Sequence, residues 1–367
     1  MSFNLRYAEA HFLSTHLISA KWLLQISHSI GAVTMQHLEL CQFEPGTKKG
    51  HYESYFLRAN HPSKPQAFWI RYTIFSPEGS ENQAIGEIWA MYFDGESNQV
   101  IAVQEDFPLS QCHFSKNEYA FKIGGSVLIK GRLSGSARLN NHAISWNLNY
   151  SGDESPVLLF PEKLYSTRLP KAKSLVTTPN AVFDGSIIID GQKLTINQWQ
   201  GSENHNWGRK HTDEYAWGQV AGFDNRPDAF LECSTARIKI GPIWSPWITL
   251  AVLVVDGEKY SFNSFRRSMK AAAKYDYFNW DFKTINKQEE LVVNIHAPKE
   301  HFAGLSYKNP PKGQHTCLNS KIGSCEVQLT DKYGKVRVLK TKNRAAFEIL
   351  TDESNHGIKI MPRLFRS

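Results

Sequence analysis

The chain has 367 residues, with 42 Lys and Arg against 35 Asp and Glu for a net charge of +7, and is 41% hydrophobic and 21% charged. That balance excludes a disordered or low-complexity chain, and the length exceeds one ordinary domain, so two domains are expected. Five cysteines, an odd and sparse set, exclude a disulfide framework and fit buried free thiols in a reducing compartment.

Residues 1–34 are apolar, with Arg6, Glu9 and Lys21 as their few charges. Lys21 and His28 interrupt every apolar run, so no window reaches the roughly 20 residues a membrane span needs. The order of a secretory signal is absent as well. Residues 17–25 predict one or two turns of amphipathic helix. The segment reads as a loosely attached extension over 1–36, with Met35 an alternative start of the folded part.

Strands are expected from residue 51 onward. Residues 51–58 alternate Tyr52, Ser54 and Phe56 against Glu53, Tyr55 and Leu57, and 68–75 are aromatic and β-branched. A turn over 76–80 and a return strand at 85–93 make a hairpin centred near Gly79. That register pairs Arg71 with Glu87 and Trp69 with Trp89. The charged pair sits among apolar neighbours, as a structural ion pair or as part of a pocket that Trp89 also lines. Short strands at 119–123, 126–131, 135–139 and 143–150 form a meander of the kind found in up-and-down barrels and sandwiches. Pro156, Pro161, Pro170 and Pro179 predict an irregular crossing, after which strands resume at 186–189 and 193–200 around an Asp190-Gly191 hairpin turn.

The densest stretch is 201–219, where His, Trp, Asn, Glu and Gly crowd together. Strand parity puts His205 and Trp207 on one face and Asn204, Asn206 and Gly208 on the other. Beyond a polar turn, Tyr215, Trp217 and Gln219 share one face, opposite Ala216, Gly218 and Val220. An aromatic wall over a small-residue shelf leaves room for a flat ligand; close packing of backbones is the alternative. Further strands are expected at 230–236, 247–255, 259–265, 275–282, 291–296, 325–330, 336–339 and 347–350. The one helical candidate is 264–274. It contains the only local basic cluster, Arg266, Arg267, Lys270 and Lys274, which reads as a solvated loop, and nucleic-acid binding is set aside.

Signatures of nucleotide binding, zinc proteases and serine hydrolases are absent. A metal on His205 and His211 would need a third ligand that nothing supplies, so no metal is expected. Cys233 has no base beside it. The chemistry these residues support is general acid catalysis: His205 with a carboxylate such as Glu203, Glu232 or Asp224 protonating a double bond or carbonyl. Trp207, Tyr215 and Trp217 would stabilise a developing cation with their ring faces. Asp224, in a polar turn, reads as a solvated residue instead.

The run Gly201 to Gly208, then Trp217-Gly218-Gln219, with Phe68 to Tyr72 and Glu87-Ile88-Trp89, resembles the lipocalin-like superfamily of AttH-type proteins, carotenoid 1,2-hydratases (hydroxyneurosporene synthases) and tocopherol cyclases. The likeness spans about residues 40 to 350. It implies an all-β fold of two consecutive lipocalin-like antiparallel barrels or barrel-like sheets, placed here at 37–213 and 214–355, with a tail at 356–367. It also implies acid-initiated addition to, or cyclisation of, isoprenoid-type substrates without an organic cofactor. His205 and Trp207 match the family's His-x-Trp element. The aromatic-plus-acid pair expected on a following strand falls at Phe230 and Glu232, where phenylalanine stands for tyrosine and glutamate for aspartate. The expected site therefore has His205 and Glu232 handling the proton. Glu203, Asn204, Trp207, Tyr215, Trp217, Gln219, Arg71, Glu87 and Trp89 would contact the substrate. A non-catalytic carrier of a hydrophobic ligand is the competing expectation. The expected location is the cytoplasm, with peripheral membrane contact left open.

Overall fold

The computed structural model describes residues 35–152 and 155–361; the helical turns expected at 17–25 lie outside them. A short helix α1 (Met35–Glu39) precedes β1 (His51–Asn60), β2 (Gln66–Ser76), β3 (Ile85–Asp94) and β4 (Gln99–Pro108). Then come β5 (Cys112–Phe114), β6 (Ala120–Ile123), β7 (Ser126–Ile129), β8 (Arg132–Leu139), β9 (His142–Ser151) and β10 (Val157–Leu158). Two long strands, β11 (Ala172–Ile189) and β12 (Gln192–Gly208), finish the first sheet. The second half holds β13 (Glu214–Phe223), β14 (Arg226–Arg237), β15 (Lys239–Ile240), β16 (Ile243–Trp244), β17 (Ile248–Val255) and β18 (Glu258–Phe262). It continues through α2 (Phe265–Ser268), β19 (Ala272–Tyr275), β20 (Asn279–Ile285), β21 (Glu290–His296) and β22 (Ala303–Lys308). It ends in β23 (Gln314–Thr330) and β24 (Val336–Thr351). The all-β class expected from the alternation of apolar and polar residues is what the chain adopts.

The two sheets share one plan. A four-strand meander runs outward from the first strand, as β1-β2-β3-β4 in one sheet and β13-β14-β17-β18 in the other. The first strand pairs on its other side with the last, β12 or β24, and that strand with the one before it, β11 or β23. A short strand off the main path, β10 or β22, adds to the latter in both cases. The first sheet curls until it is nearly closed. Each sheet wraps its own core, around Leu57, Ile70, Trp146 and Trp199 in the first and Leu231, Trp280, Phe282 and Phe347 in the second. A third cluster, including Phe56, Trp69 and Trp89 from one sheet with Leu305, Tyr307 and Leu350 from the other, fills the seam between them.

Three expectations need correction. The β2–β3 hairpin is centred one residue later than Gly79, because a 3-10 turn at Glu81–Gln83 lengthens its loop. Arg71 therefore faces Trp89, Thr73 faces Glu87, and Trp69 faces Met91. The irregular crossing ends early: β11 begins at Ala172 and runs past Pro179, whose missing N–H falls where the register with β12 shifts between Thr178 and Ala181. The helix expected at 264–274 is one turn long, since Ala272–Tyr275 pairs with β20 as a strand. The Asp190-Gly191 turn does form, with both residues at positive φ.

Candidate functional site

Alternation along β12 divides the expected site between two faces. The odd face carries Glu203, His205 and Trp207 into the first sheet's interior, where all three are buried. His205 stacks on Tyr55, with ring centroids 4.1 Å apart, and on Trp207 at 4.4 Å. Its Nε2 lies 2.9 Å from Glu53 Oε1 and its Nδ1 2.8 Å from the Leu38 carbonyl. Both partners are acceptors, so making both bonds requires both ring nitrogens to carry hydrogen. Glu53 also accepts from His51 Nε2 at 2.8 Å, the Tyr55 hydroxyl at 2.8 Å and the Gln42 amide at 2.8 Å. Burial pushes this carboxyl up, but the bonds and charge of His205 and His51 outweigh it and hold it at about 2. Glu203 accepts from the Tyr150 hydroxyl at 2.5 Å, Thr178 Oγ1 at 2.7 Å and Lys130 Nζ at 3.5 Å.

The even face looks toward the seam. Asn204 Oδ1 accepts from Gln219 Nε2 at 2.7 Å, and the same nitrogen donates to Glu232 Oε2 at 2.7 Å. Trp217 Nε1 donates to the other oxygen of Glu232 at 2.8 Å. Gln219 Oε1 accepts from Arg58 Nε at 2.7 Å and from the Ser202 hydroxyl at 2.6 Å. Beside this group, fully buried Lys321 donates to Glu348 at 2.7 Å and lies 5.6 Å from the centre of the Trp217 ring. Burial pulls the Lys321 ammonium below its ordinary pKa, against the opposing charge of Glu348. Glu232 is the reverse case. Burial raises its carboxyl to about 7, and the bonds from Trp217 and Gln219 and the charge of Arg58 only partly counter that.

The structure thus gathers Asn204, Trp217, Gln219 and Glu232, but it does not bring His205 to Glu232. His205 of β12 points into the first sheet's interior and is bonded by Glu53, whereas Glu232 of β14 in the second sheet is bonded by Trp217 and Gln219 on the seam. Trp207 goes with His205, while Tyr215 and Trp217 stand on the seam. The shelf of Ala216, Gly218 and Val220 is no ligand slot, for Gly218 packs against Trp280 and Ile295 of the second sheet's core. Arg71, Glu87 and Trp89 lie elsewhere on the same seam. The Arg71 guanidinium sits 4.5 Å from the Tyr307 ring centre, and Glu87 pairs with Lys308 at 3.1 Å. An open groove of about 590 Å³ on the outer side of the second sheet is lined by His296, Lys342 and Asp224 among others; apart from Asp224, read above as a solvated turn residue, it includes none of the expected site.

Sequence reading missed Glu53, Arg58, Lys321 and Glu348. Glu53 and Glu348 left one signal, a charged residue in line with apolar ones on a strand, Glu53 with Tyr55 and Leu57 and Glu348 between Ala346 and Leu350; Lys321, flanked on its parity by Asn319 and Gly323, left none. Among the described residues no cluster of His, Cys, Asp and Glu is disposed to hold a metal ion, and all five cysteines are free thiols.

A tocopherol cyclase-like family model matches residues 170–350. An uncharacterized protein of Mycobacterium tuberculosis is 19% identical over 287 residues, covering 78% of this chain and 84% of its own. Solved structures share the fold at low identity. A Nitrosomonas europaea protein described as AttH matches with a TM-score of 0.56 at 11% identity, over 88% of this chain and 99% of that one. Kievitone hydratase from Nectria haematococca gives 0.52 at 10%, covering 89% and 95%. CghA with bound Sch210972 gives 0.53 at 9%, covering 83% and 89%.

Proposed function

We propose that this chain, whose sequence and fold resemble those of the lipocalin-like AttH, hydratase and cyclase proteins, is a hydratase or cyclase protonating a double bond of an apolar, isoprenoid-type small molecule, with Glu232 as the acid. One observation carries the reading: Glu232 is a buried carboxyl poised near neutral pH and held by two uncharged donors next to an aromatic seam.

The steps balance with few parts. The Glu232 proton adds to one alkene carbon, leaving the cation on the more substituted one. The ring faces of Trp217, Phe56 and Trp69 stabilise that charge. Water, or a hydroxyl of the same molecule, forms the C–O bond and loses its proton to the Glu232 carboxylate. Tyr215 and Trp217 are partly exposed, so substrate would enter by displacing them along the seam. His205 has a positioning role: through Leu38 and Glu53 it fixes the chain that leads into β1.

The test is incubation with a panel of prenylated phenols and polyenes, followed by mass spectrometry. The expected products are heavier by one water, or isomeric with shifted retention, and are lost in Glu232→Gln. Recovery of intact ligand, bound equally by the Glu232→Gln protein, would make the chain a carrier and overturn the proposal.

A further inference from the structure

Strands β15 and β16 form a two-stranded sheet of their own, apart from both large sheets. Ile240 pairs with Ile243 across a Gly241-Pro242 tip, and Lys239 pairs with Trp244. The tip isoleucines are 66% and 70% exposed, and Ile238 and Trp247 add 41% and 36%. Four large apolar side chains exposed within ten residues are unusual for a surface with nothing to bind.

The hairpin is built to hold that tip outward. At its base the Lys239 amide donates to Asp213 Oδ2 at 2.9 Å, and Arg237 Nε to Glu214 at 2.5 Å. The Arg237 guanidinium lies between two indoles, 4.2 Å from the centre of the Trp244 ring and 4.5 Å from that of Trp247. Lys239 Nζ lies 4.6 Å from the Trp244 ring centre.

Trp247 meets Tyr275 edge-on, with centroids 5.5 Å apart, which joins the hairpin to the segment before Tyr275. That segment carries Arg266, Arg267, Lys270 and Lys274, all exposed, with Met269 exposed among them. Neither 237–247 nor 264–275 contains an acidic residue. An exposed apolar tip, tryptophans and cations are therefore neighbours, the three kinds of group that suit a bilayer's acyl boundary, interface and phosphates.

We infer that this hairpin docks the protein on an anionic phospholipid membrane, with Ile240 and Ile243 entering the boundary between headgroups and acyl chains. A second copy of the chain fits less well, because a two-fold pairing of the patch would set its cations against one another.

The full chain is to be co-sedimented with vesicles of phosphatidylcholine, alone or with a minority of phosphatidylglycerol. Binding is expected to the anionic vesicles and to weaken as salt is raised. I240D/I243D should weaken it by roughly tenfold or more, since apolar burial is lost and a like charge meets the lipid. R266Q/R267Q/K270Q should reduce the difference between the two vesicle types, while I240L/I243L should bind as the parent does. All the substituted side chains are exposed, so unfolding midpoints should not move. Failure of the parent chain to bind anionic vesicles overturns the inference, as does undiminished binding by I240D/I243D. So does a dimer that I240D/I243D dissolves while vesicle binding stays the same.

Discussion

Two buried glutamates show how placement decides chemistry. Glu53 is ringed by donors, two of them histidines, and its folded carboxyl sits at about 2 against an ordinary 4.5. Its contribution to stability is therefore present above pH 4.5 and is lost as pH falls toward 2, on the order of 3 kcal/mol. Glu232 has the opposite sign. With its folded value raised from 4.5 to about 7, stability is full below pH 4.5 and falls as pH rises through about 7, again by about 3 kcal/mol. Urea midpoints measured against pH should show Glu232→Gln flattening the neutral limb and leaving the acid limb in place. Glu53→Gln should do the reverse, and should also lower stability at neutral pH because His205 and His51 lose their counter-charge. If Glu232 is the acid, turnover should fall as pH rises through about 7, and Glu232→Asp should keep that profile at reduced rate. A pH-independent rate would place the proton donor elsewhere. At this scale the sequence was half legible. Parity alone put His205 and Trp207 together and Asn204 opposite them. It could not show that Glu53, some 150 residues earlier, waits across the ladder for His205.

At the scale of elements, close approach explains the glycines of the dense stretch, by backbone at Gly201 and by core side chains at Gly218. A Cβ on Gly201 would lie 1.7 Å from the Arg58 carbonyl oxygen, a backbone atom that cannot move aside. On Gly218 it would meet Ile295 Cδ1 at 2.4 Å and Trp280 at 3.1 Å. Gly201→Ala is expected to cost about 3 kcal/mol or more, and Gly218→Ala about 1–3 kcal/mol because Ile295 can turn away. Denaturant unfolding of both variants checks the order, and equal costs would contradict it. Strand existence was legible wherever apolar and polar residues alternate, as in β9 and β20. Registers were not, because loop geometry sets them: one 3-10 turn at Glu81–Gln83 moved Arg71 away from Glu87 and onto Trp89. Nor does proline reliably end a strand, since β11 absorbs Pro179 at an irregularity.

On the scale of the whole molecule, the two sheets are joined by polar groups as well as by the aromatic seam. Arg58 of the first sheet bonds the side chain and carbonyl of Gln219 in the second, and its neighbour Asn60 donates to the Lys321 carbonyl at 2.8 Å. The Arg58 charge also offsets both Glu232 and Glu348. Arg58→Met should therefore cost about 3–5 kcal/mol, as loss of one partner from a buried charge set does. Adding Glu232→Gln should recover part of that, because Glu232 loses its counter-charge with Arg58, and a double-mutant cycle by calorimetry would register the interaction as coupling. Strict additivity would mean that the sheets are held by the apolar seam alone.

The pairing of β1 with β12 also sets a timetable. Tyr52 finds Gly208 only after the chain between them has been made, so at ribosomal rates of about 5–20 residues per second the edge of β1 stays open for roughly 10–30 s. That edge carries Tyr55, Phe56 and Leu57. For this interval the nascent chain offers an apolar strand with unmet backbone hydrogen bonds, a surface that another copy on the same message could capture. Translation speed across residues 150–208, and again across 300–350 where β24 closes on β13, should therefore govern the yield of soluble protein.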